Sequence, residues 1–173
     1  MSSNLSDPPI SPEDTTTLPS HPTLKITGIT LHLTLDFTLP STFWTGEEFI
    51  PYRASLLDSL PLYLSPTSTQ TIAKLLIHLT FPHRRLQSNA LRLTQRDLVN
   101  RISALIRDFI GEVEVRFQSP EMEWSQVRCL APFWGLKGKC RVRVEGRVVM
   151  GGSELGERLR GEWRRMREGR EGY

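Results

Sequence analysis

Cysteine is scarce: only Cys129 and Cys140 occur among 173 residues. Two cysteines without a regular spacing cannot build the framework of a small secreted disulfide fold, so a reducing compartment is the expectation. Apolar runs are short as well. None approaches the roughly 20 residues that a membrane-spanning helix needs, and residues 1–22 lack the basic start and apolar stretch of a secretory signal. Ser2 stands where N-myristoylation requires glycine. A cytoplasmic or nuclear protein without membrane attachment is therefore expected.

The motifs of familiar chemistries are missing too. No G-x-S-x-G marks a strained serine nucleophile, and no C-x-x-C or H-x-x-x-H offers metal ligands. His78 and His83 are five residues apart, a spacing that does not share a helical face. Gly138-Lys139 lacks both the upstream glycine and the following Ser/Thr of a phosphate-binding loop. His32 and Asp36 share one face of a strand but stand roughly 13 Å apart at about 3.3 Å per residue, too far for a dyad. Cys129 and Cys140 fall on apolar strand parity, where a thiol is a small core residue rather than a nucleophile. No catalytic set, metal or cofactor is expected.

What is present suits a globular protein. An apolar content of 38% over this length supports one domain with a real core. Residues 1–23 are Ser, Thr, Pro and acids with little to bury, which reads as a disordered tail, and residues 24–173 read as a single α+β domain. Ser11-Pro12 in that tail is too common a dipeptide to decide anything. Charge is uneven. Residues 1–73 hold seven acids against two bases, a net of −5, so residues 74–173 carry +8 of the overall +3. A basic half bears on association with polyanions or acidic surfaces, not on fold.

Ile29, Leu31, Leu33, Leu35 and Phe37 alternate with polar residues, the period of a half-buried strand. Pro40, Pro51, Pro61 and Pro66 argue against a long element in the next stretch, although Tyr52–Leu60 has room for two helical turns, and Phe43, Trp44, Phe49 and Ile50 should fold back over the core. Residues 68–81 fit both helical and strand spacing; the Ser65-Pro66 and Thr/Ser approach favours helix, with strand the alternative. Thr94–Ile110 reads as an amphipathic helix. Thr94 would be its N-cap, Leu93 and Leu98 a hydrophobic staple, Leu98, Ile102, Leu105, Ile106 and Phe109 its stripe, and Gly111 a left-handed cap.

Three alternating segments follow, around Val113–Phe117, Val127–Phe133 and Cys140–Val144, and short turns make an antiparallel meander the economical connection, with Gly146 as a bulge. After Gly151-Gly152-Ser153 a last helix carries Leu155, Leu159, Trp163 and Met166 on one side. The expected fold is α+β: an antiparallel sheet of about four strands packed against two or three helices.

On the meander's outer parity Trp124, Arg128 and Trp134 would project with Lys139, Arg141 and Arg143. Aromatics among basic residues are what a single-stranded nucleic-acid platform requires. The same residues, with Trp163 of the last helix, would equally form a protein-docking surface or the seat of that helix. Glu112, Glu114 and Glu145 dilute the positive field by ion pairing. The favoured expectation is a non-enzymatic protein-interaction module or subunit of a larger assembly, with another protein as partner. Binding of single-stranded RNA or DNA is the alternative. A small enzyme whose pocket gathers His32, His78 or Asp36 is the second.

Overall fold

A computed structural model describes residues 18–65, 71–136, 138 and 140–171. Ser11-Pro12 and most of the tail expected over 1–23 lie outside the described residues, as do Lys139 and residues 68–70. From Leu18 onward the chain touches the fold: Leu18 packs on the core, and the Tyr63 hydroxyl donates to the Pro19 carbonyl at 2.7 Å.

The architecture is α+β, with one six-stranded mixed sheet in the order β1-β2-β3-β4-β5-β6. A hairpin of β1 (Leu24–Thr27) and β2 (Thr30–Asp36) opens it, turning at Gly28 with φ 58°. Next come α1 (Ser41–Thr45), α2 (Phe49–Leu64) and β3 (Lys74–Thr80), then α3 (Asn89–Leu105) and β4 (Glu112–Gln118). Two short helices, α4 (Trp124–Val127) and α5 (Ala131–Trp134), flank a 3-10 turn at Arg128–Leu130 and lead to β5 (Cys140–Val144). The chain ends with β6 (Arg147–Val148) and α6 (Glu154–Glu171).

Strands β2 to β5 are parallel to one another, whereas β1 and β6 are antiparallel flanks. This corrects the four-stranded antiparallel meander. Parallel neighbours need crossovers, and right-handed crossovers through strands laid down in consecutive order place every connecting helix on the same side of the sheet. One face is therefore roofed by helices, and the other is bare.

The roofed face holds the core. Leu31, Leu33, Leu35 and Phe37 are fully buried on the parity the sequence implies, beside Leu75, Ile77, Leu79 and Phe81, and Val113, Val115 and Phe117. The residue directly after β2 and β3 and the penultimate residue of β4 are all phenylalanine, and their rings form a chain. Phe37 and Phe81 lie 4.9 Å apart, Phe81 and Phe117 5.1 Å apart, and Trp44 closes on Phe37 at 4.8 Å.

Several local expectations change for identifiable reasons. Residues 74–80 form a central strand, not a helix: pairing on both sides with β2 and β4 is available only to an extended segment. The run 49–64 is a continuous helix despite its prolines, because Pro51 sits in the first turn, where its missing N–H has no partner to lose, and the helix absorbs the broken bond at Pro61. Phe43, Trp44 and Phe49 cover the core as expected, whereas Ile50 is exposed. Helix α3 begins earlier than Thr94, capped by Ser88, whose Oγ accepts from Leu91 N at 3.1 Å. Leu93 is consequently exposed and forms no staple. Gly111 is no left-handed cap; a Cβ there would collide with the Ala73 carbonyl, so glycine permits close strand approach. Gly146 is not a bulge either. With Glu145 it forms a two-residue hairpin turn, at φ 49° and 77°.

The largest correction is the segment around Val127–Phe133, expected as a strand and found within a run of short helical turns over 124–134. Burial of Gln126, Val127, Cys129, Leu130, Ala131, Pro132 and Phe133 is almost continuous, since the segment is wedged between α3 and α6. Helix α6 forms where the sequence places it. Its Leu159 is fully buried, and the Trp163 ring lies so close to Gly135 that any side chain there would displace it.

Candidate interaction surface

The residues expected to share one surface are divided by the sheet. Trp124, Trp134 and Trp163 are half-buried in the helical layer, with the Arg158 guanidinium 4.3 Å above the Trp124 ring, and Arg128 is exposed on the neighbouring 3-10 turn. Arg141 and Arg143 project from β5 to the opposite, bare face. Lys139 lies outside the described residues. The joint tryptophan and arginine platform therefore does not form, because its connecting strand is a helical crossover.

The bare face has its own order. Strand register aligns Lys25, His32, Leu76, Glu114 and Arg141 in one row across the sheet, and Thr34, His78, Arg116, Arg143 and Val148 in the next. Period-two alternation puts each of them opposite a core residue. Lys74, Glu112, Asp36, Thr80 and Gln118 complete the face.

Glu114 is its anchor. Only 4% exposed, it sits among three cations. Lys74 Nζ is 3.2 Å from Oε2, Arg116 Nε is 2.8 Å from Oε1, and Arg143 Nε lies 3.0 Å from Oε1 without the alignment to donate a hydrogen bond. Burial pushes the carboxyl's pKa up, but the hydrogen bonds and charges of Arg116 and Lys74 outweigh it and hold the group at about 2. The carboxylate stays ionised and pins three long side chains.

Beside it, the His32 and His78 rings are 6.1 Å apart and within 9° of parallel. Burial lowers the His78 pKa, helped by the positive charge of Arg116 and by His32, so its ring favours the neutral form. Asp36 is occupied locally, accepting from Thr38 N at 2.9 Å and from Thr38 Oγ1 at 2.6 Å. Among the described residues no hydrogen bond joins His32, His78 and Asp36 to one another. Among the described residues no group of three or more His, Cys, Asp or Glu could hold a metal ion. Burial pushes the Cys140 thiol up to about 12 and the Cys129 thiol higher still, which removes thiolate chemistry at neutral pH. No described helix is long and apolar enough to cross a membrane.

Sequence reasoning missed the anchor. Glu114 was legible only as a diluting charge, although the alternation of β4 already placed it with Arg116. What was lacking was the neighbour relation of β3, β4 and β5. Comparison of the chain with protein-family models, curated proteins and solved structures finds no match in any of the three.

Proposed function

We propose that this chain is a non-enzymatic interaction module, a subunit of a larger assembly, whose bare sheet face docks an acidic partner protein. The observation that carries this reading is the helix-free face of a sheet built on parallel strands, a class of sheet that is ordinarily covered on both sides. Three seven-residue strands and three shorter ones, at about 4.8 Å spacing and about 3.3 Å per residue, offer roughly 500 Å² of sheet, about two thirds of the ~800 Å² that each partner contributes to a standard interface.

Charge selects the partner. Five bases (Lys25, Lys74, Arg116, Arg141, Arg143) face three acids (Asp36, Glu112, Glu114), which repels a second copy presenting the same face and attracts an acidic one. Glu114 already holds three of those bases in place, so docking loses less side-chain entropy there. A single-stranded nucleic acid fits less well. Its bases need exposed rings to stack on, and this face offers His32 and His78 but none of the tryptophans.

The test is carbodiimide cross-linking of complexes captured on the intact chain, in parallel with a Lys25→Glu/Arg141→Glu variant. Neither residue has an ion-pair partner among the described residues. Cross-links from Lys74 to carboxylates of one acidic protein, with capture of that protein weakened tenfold or more in the variant, are the expected result. Capture that is unchanged in the variant refutes the docking face. Nuclease-sensitive capture turns the reading to nucleic acid, and links only between copies turn it to self-association.

A further inference from the structure

On the helical side, where α3 meets the 3-10 turn 128–130 and the chain leaving β3, lies a cleft of about 300 Å³. It opens at the carboxyl end of the parallel strands, the end at which open α/β sheets take ligands. Arg92 and Arg96, one helical turn apart on α3, line one wall, and Arg128 lines the other. Among the described residues no aspartate or glutamate lines it.

Those three guanidinium groups are weakly committed. Arg128 has no ion-pair partner among the described residues. Arg96 reaches Glu162 only at 3.8 Å, and that carboxylate is held more closely by Arg165 at 3.0 Å. Arg92 donates to the neutral Asn89 side chain.

The floor adds unused polar groups. Gln95, 2% exposed, leaves its amide nitrogen without a partner, and the buried Ser125 hydroxyl has none either. An unpaired buried polar group costs about 1–3 kcal/mol, so two of them lining one cleft call for a use. Neighbouring Gln126 shows the contrast: its amide donates to the Pro82 carbonyl at 2.8 Å and accepts from Ser119 Oγ at 2.7 Å, which ties the cleft's two loops together.

We infer that this cleft binds the phosphate group of a small, soluble phosphomonoester. A carboxylate pairs fully with one guanidinium, whereas a phosphate dianion presents enough oxygens to engage three guanidinium groups together with the Gln95 amide and the Ser125 hydroxyl. The volume is at the low end for ligand pockets, roughly 300–1,000 Å³, which suits a phosphate carrying a modest organic group against the exposed Leu93 side chain. Cys129 also lines the cleft, and its burial keeps the thiol protonated, so binding rather than covalent chemistry is the role. This inference does not depend on the docking face, which is on the other side of the sheet.

The experiment follows the intact chain by thermal melting and phosphorus NMR while inorganic phosphate, glycerol phosphate and phenyl phosphate are titrated, with sodium chloride matched for ionic strength. Saturable binding is expected, with an organic phosphate tighter than inorganic phosphate. Arg96→Gln and Arg128→Gln should each weaken it about tenfold or more. Ser125→Ala should weaken binding while leaving the ligand-free melting temperature unchanged or higher, a pattern that a purely structural serine would not give. Arg107→Gln, on an exposed part of the chain, is the control for general positive charge. The inference is overturned if no phosphate compound binds, if Arg107→Gln weakens binding as much as Arg128→Gln, or if only long polyanions bind with a steep salt dependence. Inorganic phosphate binding as tightly as both esters retains the site but overturns the organic ligand.

Discussion

Replacing Glu114 by glutamine tests the electrostatic anchor of the bare face. Each pH unit of pKa shift is worth ~1.4 kcal/mol, so a carboxyl moved from 4.5 to about 2 corresponds to about 3 kcal/mol. Its partners Lys74, Arg116 and Arg143 are 33%, 46% and 32% exposed, and solvent screening reduces that figure to about 2 kcal/mol. The glutamine also leaves three like charges facing a neutral amide, so the expected loss at neutral pH is about 2–3 kcal/mol.

The pH dependence follows from the direction of the shift. The folded carboxyl gives up its proton more readily than the unfolded one, so its contribution is complete above 4.5 and is lost as pH falls through about 2. Urea unfolding of wild type and Glu114→Gln, repeated from neutral pH down to about 2, reads this directly. Acid destabilisation from His21, whose pKa is lowered by burial, is common to the two proteins and cancels in the difference. His78 also feels the Glu114 charge, which raises its pKa, so the variant loses more stability as His78 takes up its proton and the gap closes only once Glu114 itself is protonated. The two stabilities should converge at the acid end. A gap that persists unchanged there, or no gap at neutral pH, would refute the charge argument.

Three further outcomes are expected. Glu145→Asn should stabilise the β5–β6 hairpin by about 0.5 kcal/mol, because asparagine tolerates the left-handed region that Glu145 occupies at φ 49°, while Gly146→Val should cost about 1–2 kcal/mol in chemical denaturation. Gly135→Ala should displace Trp163, which is seen as changed tryptophan fluorescence and a stability loss of about 1–3 kcal/mol; an unchanged spectrum would contradict the close contact. Cys129 and Cys140 should react with a thiol reagent at neutral pH far more slowly in the folded than in the urea-unfolded chain, and equal rates would show that the thiols are accessible.

Elements whose two sides differ in environment were legible in the sequence. Strand β2 has core on one side and polar surface on the other, so Leu31, Leu33 and Leu35 announce it, and the stripe of α6 does the same through Leu159. Elements enclosed on several sides were not. Strand β3 buries Leu76 on the bare face as well as Leu75, Ile77 and Leu79 on the other, which blurs period two into a continuous apolar run. The 124–134 crossover is buried nearly all round, and its accidental alternation of Val127, Cys129, Ala131 and Phe133 imitates a strand. Mistaking it also reversed β5, since an antiparallel neighbour needs a short turn and a parallel one needs a crossover of this length. The candidate surface failed with it. Arg141 and Arg143 were on the right parity, but Glu114, Lys74 and Arg116 join them only once β3, β4 and β5 lie side by side. The arginine cleft draws on residues from α3 and the 3-10 turn, which no local pattern connects.

Both rims of the sheet end in short strands that run against the parallel block, four residues in β1 and two in β6. Short, reversed borders offer few free main-chain donors and acceptors in a row, and Lys25 adds charge to one of them. Pairing of sheets edge to edge is thereby discouraged. Short borders leave the side chains of the broad face, rather than the main chain at its rims, as the larger surface on which another molecule can rest.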